Sequence, residues 1–181
     1  MFAVSTTHAL ALIAGAFVCS SGLTRLMILV GPKLGLMDEP DDRRVHLVPI
    51  PRAGGIAIWI SFIALAWLSE FLFPEAFSNV QVQQLWAFTL SSLILMLVGF
   101  VDDQRGMNAI LKLGGQVLAA CVFFYLDSTL WELSLFGYTL PMVVAGVIFV
   151  GWCVLLINAF NLIDGLDGLC SGLVLVSLIA I

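Results

Sequence analysis

Long apolar stretches alternate with short polar ones along this chain. The apolar stretches cover about 8–30, 54–73, 84–101, 109–126 and 140–157, and a sixth begins at Leu169. An α-helix crosses a hydrocarbon core of about 30 Å with roughly 20 apolar residues. The pattern therefore predicts an all-α fold, a polytopic transmembrane helical bundle with five full spans and a sixth that is cut short where the sequence stops.

The composition agrees with a membrane protein. The chain is 61% hydrophobic and 10% charged, with a mean hydropathy of +1.11, whereas soluble domains carry about 25% charged residues. The net charge is −5 and no basic patch is present, so we expect no nucleic-acid partner. The four cysteines are scattered through apolar segments, and we interpret them as small apolar residues. We treat 1–181 as a single integral membrane domain.

The positive charges predict the orientation of the bundle. All seven lysine and arginine residues lie in or near the first and third loops, and the second and fourth loops contain none. The positive-inside rule then places the N-terminus outside and the loops 31–53, 102–108 and 158–168 together in the cytoplasm. Eight of the twelve carboxylates share that side. The other four are expected to be ordinary solvated loop charges: Glu70, Glu75, Asp127 and Glu132.

The first cytoplasmic loop combines prolines with basic side chains. Arg43, Arg44, His46 and Arg52 precede a Gly-Gly pair at the start of the second span. Arginine binds phosphate bidentately, and glycine lets a ligand approach the backbone closely. The pattern predicts an anion site, although a solvated loop whose arginines set the topology explains the same residues.

Two adjacent carboxylates, Asp102 and Asp103, end the third span. Each lies at the negative end of a helix dipole, which is unfavourable by about 0.3–1 kcal/mol. We interpret them as a metal-associated or proton-accepting pair, because neighbouring carboxylates hold a shared proton more readily; an exposed loop could also hold them through water. Consecutive helical residues point about 100° apart. One acid can therefore face a cleft while the other holds a neighbour.

Lys112 lies where a lysine is disfavoured. Asn108 is predicted to cap the fourth span, which places Lys112 near the positive end of that helix. Gln116 follows at i+4 and shares its face. Lys112 therefore either extends to the membrane interface or binds a substrate phosphate within a polar cleft.

Two amides and two carboxylates then recur at every third position: Asn158, Asn161, Asp164 and Asp167. Each step of three residues turns an ideal helix about 60° backwards, so the first and last side chains oppose each other. A helix break at the glycines that follow the two carboxylates would redirect them. We predict that Asn161 and Asp164 lie nearest the reacting centre and that Asp167 addresses another part of the ligand. Such oxygen ligands suit Mg²⁺ that is held partly by substrate phosphates. The alternative interpretation as helix caps would explain one of these four side chains but not all of them.

These motifs, taken together and in their order along the chain, resemble those of the polyprenyl-phosphate N-acetylhexosamine-1-phosphate transferase family, of the glycosyltransferase 4 type. The resemblance runs from about residue 30 to the end of the chain, and its Pro-Ile-Pro-Arg-Ala-Gly-Gly variant is more similar to the undecaprenyl-phosphate GlcNAc-1-phosphate transferases than to the phospho-N-acetylmuramoyl-pentapeptide branch. The matching segments are Gly35-Leu-Met-Asp38, Arg43-Arg44-Val-His46, Pro51-Arg52-Ala-Gly54-Gly55, Asp102-Asp103 with Lys112, and Asn158-Ala-Phe-Asn161-Leu-Ile-Asp164-Gly-Leu-Asp167-Gly168-Leu.

The resemblance implies a reaction and its partners. N-acetylhexosamine 1-phosphate, expected to be GlcNAc 1-phosphate, moves from a UDP-sugar to a polyprenyl phosphate such as undecaprenyl phosphate, and UMP leaves. The expected place is the cytoplasmic face of a bacterial inner membrane, at the first membrane step of cell-envelope polysaccharide synthesis. Mg²⁺, with Mn²⁺ as an alternative, bridges the diphosphate. A homodimer is left open.

The resemblance also implies roles by position. Asp102, Asp103 and Asp164 are the expected catalytic carboxylates. Asn161 and Asp164 are expected at the metal, and Asp167 at the uracil. The other expected substrate-binding residues are Asp38 at the edge of the site, Arg43, Arg44, His46, Arg52, Lys112 and Asn158.

Members of this family are much longer than this chain and carry a further metal-binding Asp and a His-rich loop. We therefore expect 1–181 to be the N-terminal part of a longer enzyme and inactive alone. Two other classes stay open: a non-catalytic truncated membrane protein, and a cation or proton transporter, because intramembrane acids often mark ion pathways. Against transport, the acids cluster at loops on one face.

Overall fold

The computed structural model describes residues 6–38, 50–51, 54–76, 79–135, 137–163 and 168–179. They form helices α1 (Thr6–Val30), α2 (Gly54–Leu72), α3 (Asn79–Arg105), α4 (Ala109–Leu126), α5 (Met142–Ile163) and α6 (Leu169–Ile179). The first five are long and apolar enough to cross a membrane. The predicted all-α polytopic bundle is confirmed, with a sixth helix that begins at the expected residue. The outside location of the N-terminus stays a prediction.

Helices that follow each other in sequence pack against each other in space. The most extensive contacts join α1 to α2, α3 to α4 and α4 to α5. Ala57, Ala87, Ala119 and Ala145 are fully buried where these helices meet, and large apolar side chains cover the outside. This distribution is typical of membrane helices, since small residues let backbones approach while lipid solvates the larger ones.

Helices α3 and α4 approach each other closely at Gly115. A Cβ atom added at Gly115 would lie 2.5 Å from Cγ2 of Val98, which no real Cβ contact tolerates. At the far end of this pair, Gln83 Nε2 of α3 donates to the carbonyl oxygen of Leu126 at 2.6 Å. The glycine therefore permits the contact that holds these two helices together.

Two short hairpins connect the helices, and the sequence pattern did not predict them. Strand β1 (Met37–Asp38) pairs antiparallel with β2 (Ile50–Pro51), with Met37 opposite Pro51 and Asp38 opposite Ile50. Strands β3 (Ser134–Leu135) and β4 (Tyr138–Thr139) form the other hairpin. Gln104 Nε2 donates to the Leu34 carbonyl oxygen at 3.2 Å. The first loop is therefore attached to the last turn of α3.

Asp127 corrects one expectation. Its side chain is 4% exposed, so it is not a solvated loop charge. Oδ1 accepts hydrogen bonds from the Thr129 backbone N at 3.1 Å and Oγ1 at 2.6 Å, and Gln84 Nε2 donates to Oδ2 at 3.3 Å. Asp127 is the N-cap of the 3-10 helix Ser128–Glu132. These contacts replace water around the carboxylate and fasten the α4–α5 connection to α3.

Candidate active site at one end of the bundle

Asp102 lies in the last turn of α3 and binds the beginning of α4. Its Oδ2 accepts a hydrogen bond from Lys112 Nζ at 2.7 Å, which is also an ion pair. Its Oδ1 accepts from the Met107 backbone N at 2.8 Å, and its backbone oxygen accepts from Gly106 N at 2.9 Å. Gly106 has φ of 67°, a left-handed conformation that glycine adopts without strain. One carboxylate therefore closes the α3–α4 turn and holds Lys112.

This ion pair explains the unfavourable position of Lys112. The predicted cap is confirmed: Asn108 Oδ1 accepts from Ile110 N at 2.9 Å, so Lys112 lies in the first turns of α4. Each charge is disfavoured by the dipole of its own helix. In the antiparallel pair, however, Asp102 lies beside the positive end of α4 and Lys112 beside the negative end of α3. The neighbouring helix thus favours the charge that its own helix disfavours.

Asp103 faces a different environment. It lies at one end of a groove of about 350 Å³ between α2 and α3. Inside this groove Trp59 Nε1 donates to Ser92 Oγ at 2.9 Å. Asp102 thus holds a neighbour and Asp103 lines a cleft, as the angle between consecutive helical residues allows. The remaining lining is mostly apolar and comprises Leu36, Gly55, Ile56, Leu95, Met96, Gly99 and Phe100.

Asn158 and Asn161 both lie on α5, which continues six residues beyond the predicted end at 157. Asn158 Nδ2 donates to Gln116 Oε1 at 2.7 Å and to the Val154 carbonyl oxygen at 2.8 Å. Asn161 is exposed, one turn further towards the end of the helix. Gln116 itself is 3% exposed. Its position on the face of Lys112 was the available signal for its participation, but the sequence did not identify it as a site residue.

A break separates α5 from α6. The first helix ends at Ile163 and the second begins at Leu169, directly after Gly168 with φ of 77°. The break predicted at the glycines is therefore confirmed for Gly168. Other predicted site residues lie outside the described residues: Arg43, Arg44, His46, Arg52, Asp164 and Asp167. Asp38 is described by its backbone in β1.

The described site is a polar seam across three helices. Asp102 on α3, Lys112 and Gln116 on α4, and Asn158 on α5 form it. Asp103 lies next to the seam in the groove, and Asn161 lies at its α5 end. Within the described ranges, no three His, Cys, Asp or Glu side chains are grouped to hold a metal ion. The carboxylate and amide oxygens present are nevertheless of the type that Mg²⁺ prefers.

Comparison with known proteins identifies the family. The model of glycosyl transferase family 4 matches residues 85–181. The chain is 28% identical to the decaprenyl-phosphate N-acetylglucosaminephosphotransferase of Mycobacterium tuberculosis, over 84% of this chain and 39% of that protein. It is 32% identical to the undecaprenyl-phosphate alpha-N-acetylglucosaminyl 1-phosphate transferase of Thermotoga maritima, over 88% of this chain and 47% of that protein.

The Escherichia coli protein of the same name is 30% identical, over 84% of this chain and 40% of that relative. The chain thus spans less than half the length of each of these relatives. No solved structure matches it significantly. The matched segment contains the carboxylate pair, Lys112, Gln116 and the Asn158–Asn161 turn, and it covers more than half of the chain. The chain therefore belongs to glycosyl transferase family 4.

Proposed function

We propose that this chain contributes to the cytoplasmic site of an inner-membrane enzyme that transfers N-acetylglucosamine 1-phosphate from UDP-N-acetylglucosamine to a polyprenyl phosphate. The observation that carries the proposal is the position of the polar seam. It lies at one end of a membrane bundle and borders an apolar groove that contains Asp103. A soluble nucleotide sugar and a membrane-bound lipid can meet only at such an edge. The names of the relatives describe the same class of transfer.

In the proposed reaction, a phosphate oxygen of the lipid forms a bond to the β-phosphorus of the UDP-sugar. The bond from that phosphorus to the oxygen bridging it to UMP breaks, and its electron pair leaves with UMP. A lipid phosphate carries one proton in part at neutral pH, since the second pKa of a phosphate monoester is about 6. We assign this proton to Asp103, because Asp103 lines the apolar groove that borders the polar seam.

Lys112 is assigned to phosphate binding. An ammonium group has three donors, and one of them is directed to Asp102 Oδ2 at 2.7 Å. The other two can donate to phosphate oxygens, and such charge-assisted hydrogen bonds are roughly twice as strong as neutral ones. Asp102 then serves to orient Lys112 and to fix the turn from which it projects.

Asn161, together with Asp164, is assigned to Mg²⁺ or Mn²⁺. Amide and carboxylate oxygens suit such hard cations, which keep several waters and bind substrate phosphates. The bound ion would neutralise negative charge on the diphosphate. Asn161 lies on the last turn of α5 and is exposed, so its side chain is accessible to a ligand at this end of the bundle.

The test uses Asp103→Asn and Asn161→Ala in the complete protein, in membranes, with UMP release from UDP-N-acetylglucosamine as the measurement. We expect both variants to insert normally and to lose release by at least about a hundredfold, as expected for loss of a general base or an electrostatic ligand. Glu75→Gln, an exposed carboxylate at the other end of the bundle, serves as the control. Wild-type turnover in both site variants would overturn the assignment. Ion flux without UDP-sugar would instead support the transporter class.

A further inference from the structure

Gln116 differs from the other buried polar side chains that the structure describes. Ser61 and Ser91 donate to carbonyl oxygens of their own helices, at 2.7 and 3.1 Å. Asp127 caps a short 3-10 helix and accepts from Gln84, at the end of the bundle opposite the proposed site. Gln116, at 3% exposure, bonds to a residue of the proposed site that lies 42 positions away on the next helix. It is therefore a polar connection between α4 and α5 in the interior of the bundle.

The contact fixes the orientation of both amides. The Val154 carbonyl oxygen can only accept, so the nitrogen end of the Asn158 amide must face it at 2.8 Å. The Gln116 atom that lies 2.7 Å from the same nitrogen must then be its oxygen. Both hydrogens of Asn158 Nδ2 are thereby used. The Asn158 side chain has one orientation relative to α4, and its Oδ1 has one direction.

The energetics favour a geometric role over a stabilising one. Hydrogen bonds between membrane helices contribute little to stability on average. Among the residues that the structure describes, Gln116 Nε2 has no acceptor, and a buried donor without an acceptor lowers stability by more than such a hydrogen bond adds. The side chain therefore adds little to the stability of the fold. It does restrict the rotation of α5 about its axis, because Asn158 must face α4.

The same hydrogen bond restricts the positions of proposed site residues on both helices. Asn161 lies one turn beyond Asn158 on α5, so the rotation that places one residue also places the other. Lys112 lies one turn before Gln116 on α4, on the same face. Gln116 thus fixes the position of the Asn158–Asn161 turn relative to the Asp102–Lys112 ion pair.

We propose that Gln116 is a positioning residue for the transfer reaction: through its hydrogen bond to Asn158 it holds the cytoplasmic end of α5 in register with Lys112. This inference rests on the proposed function. It assigns no contact between Gln116 and substrate.

The first test compares Gln116→Met, Gln116→Glu and Ser61→Ala in the complete protein. Methionine keeps the length and burial of the side chain but removes the acceptor. We therefore expect kcat per folded molecule to fall about ten- to a hundredfold, because a small displacement of the groups that position the substrate slows the reaction by about that factor. The thermal midpoint should change little. Glutamate keeps an acceptor oxygen at the same reach and should restore most of the activity. Ser61, equally buried and bonded within its own helix, is the control and should leave kcat unchanged.

The second test does not depend on activity. Amide hydrogen exchange of residues 158–163 is measured for the same variants in lipid nanodiscs. Gln116→Met should accelerate exchange there, while Gln116→Glu and Ser61→Ala should not. Unchanged exchange in Gln116→Met, or equal losses of kcat with Met and Glu, would overturn the inference. A wild-type protein without transferase activity would overturn the proposed function, and the exchange measurement would still decide the role of Gln116.

Discussion

At the scale of residues, Asp102 and Asp103 show how adjacent identical side chains take different roles. The α-helical turn directs Asp102 towards α4 and Asp103 into the α2–α3 groove. Asp102 makes a charge-assisted contact in a part-exposed pair, in which the side chains of Lys112 and Asp102 are 31% and 24% exposed. Its contribution to stability is therefore limited, and its position matters mainly for Lys112.

A double-mutant cycle tests this division. Asp102→Asn and Lys112→Met should each reduce stability, and the double variant should lose less than the sum. The coupling energy expected for a part-exposed ion pair is about 0.2–1 kcal/mol. Chemical unfolding in detergent measures it. The matched control combines Lys112→Met with Glu75→Gln, distant in the bundle, and should be additive. Additive losses in the Asp102 cycle would show that the ion pair does not form in the folded protein.

Local side-chain chemistry could be predicted from sequence, whereas long-range contacts could not. Asn108 was identified as a cap because the cap and the helix it begins are adjacent in sequence. Asp127 was misjudged and Gln116 was not recognised as a site residue. Their burial depends on Gln84 and Asn158, which lie 43 and 42 positions away. The identity of the covering helix follows from packing, which a hydropathy pattern does not specify.

At the scale of elements, the apolar pattern located the helices and both ends of α4, but it missed the beginning of α3 and the end of α5. Helix α5 continues to Ile163 because Asn158 and Asn161 interrupt the hydropathy without interrupting the backbone hydrogen bonds. Helix α3 begins at Asn79, before the predicted position 84, because polar residues in its first turns likewise lower the hydropathy without interrupting the helix. The β1–β2 hairpin was missed because strands of two residues carry no periodic signal and depend on pairing across a loop.

The α3–α4 approach gives a prediction about packing. Gly115→Ala should destabilise the protein by about 1–3 kcal/mol, the usual cost of overpacking, because its Cβ would lie 2.5 Å from Cγ2 of Val98. Val98→Ala should recover part of this loss by removing the clashing methyl groups. Gly114→Ala is the control, since a Cβ there meets nothing within 4 Å. Thermal unfolding in detergent is the measurement. Equal stability of the two alanine variants would contradict the close approach.

The α2–α3 groove gives a prediction about the acceptor. We expect the first isoprenoid units to lie in this groove, because it is mostly apolar and contains Asp103 at one end. Gly99→Leu would fill it without a backbone clash, since a Cβ at Gly99 meets nothing within 4 Å. The KM for polyprenyl phosphate should rise about tenfold, because the lipid would lose the burial of roughly two methylene groups. The KM for UDP-sugar should be unchanged. Gly22→Leu on α1, equally unobstructed, is the control. An unchanged KM for the lipid would exclude the groove as its binding place.

At the scale of the whole molecule, the antiparallel order of the helices separates two unlike ends. One end contains the Asp102–Lys112 ion pair, Asn161 and the β1–β2 hairpin. The other contains the buried Asp127 cap and the β3–β4 hairpin. The described parts of the connections after α1 and α3 and the last turn of α5 lie at the first end, as the alternation of spans predicted. Asp102, Asp103 and Asn161 therefore share one end of the bundle, although Asn161 is far from the two acids in sequence.

Which side of the membrane this end faces can be measured directly. In a variant without the four native cysteines, single cysteines are introduced at Ala109, beside the ion pair, and at Ser134, in the opposite hairpin; both positions are exposed. In the sequence, all arginines and lysines lie in or near the first and third loops, and Ala109 directly follows the third loop, so the positive-inside rule predicts that this end is cytoplasmic. A membrane-impermeant thiol reagent should label Ser134→Cys in intact cells and Ala109→Cys only after the inner membrane is permeabilised. The reverse pattern would place the polar seam outside, away from cytoplasmic nucleotide sugars, and the proposed reaction would then lack its donor.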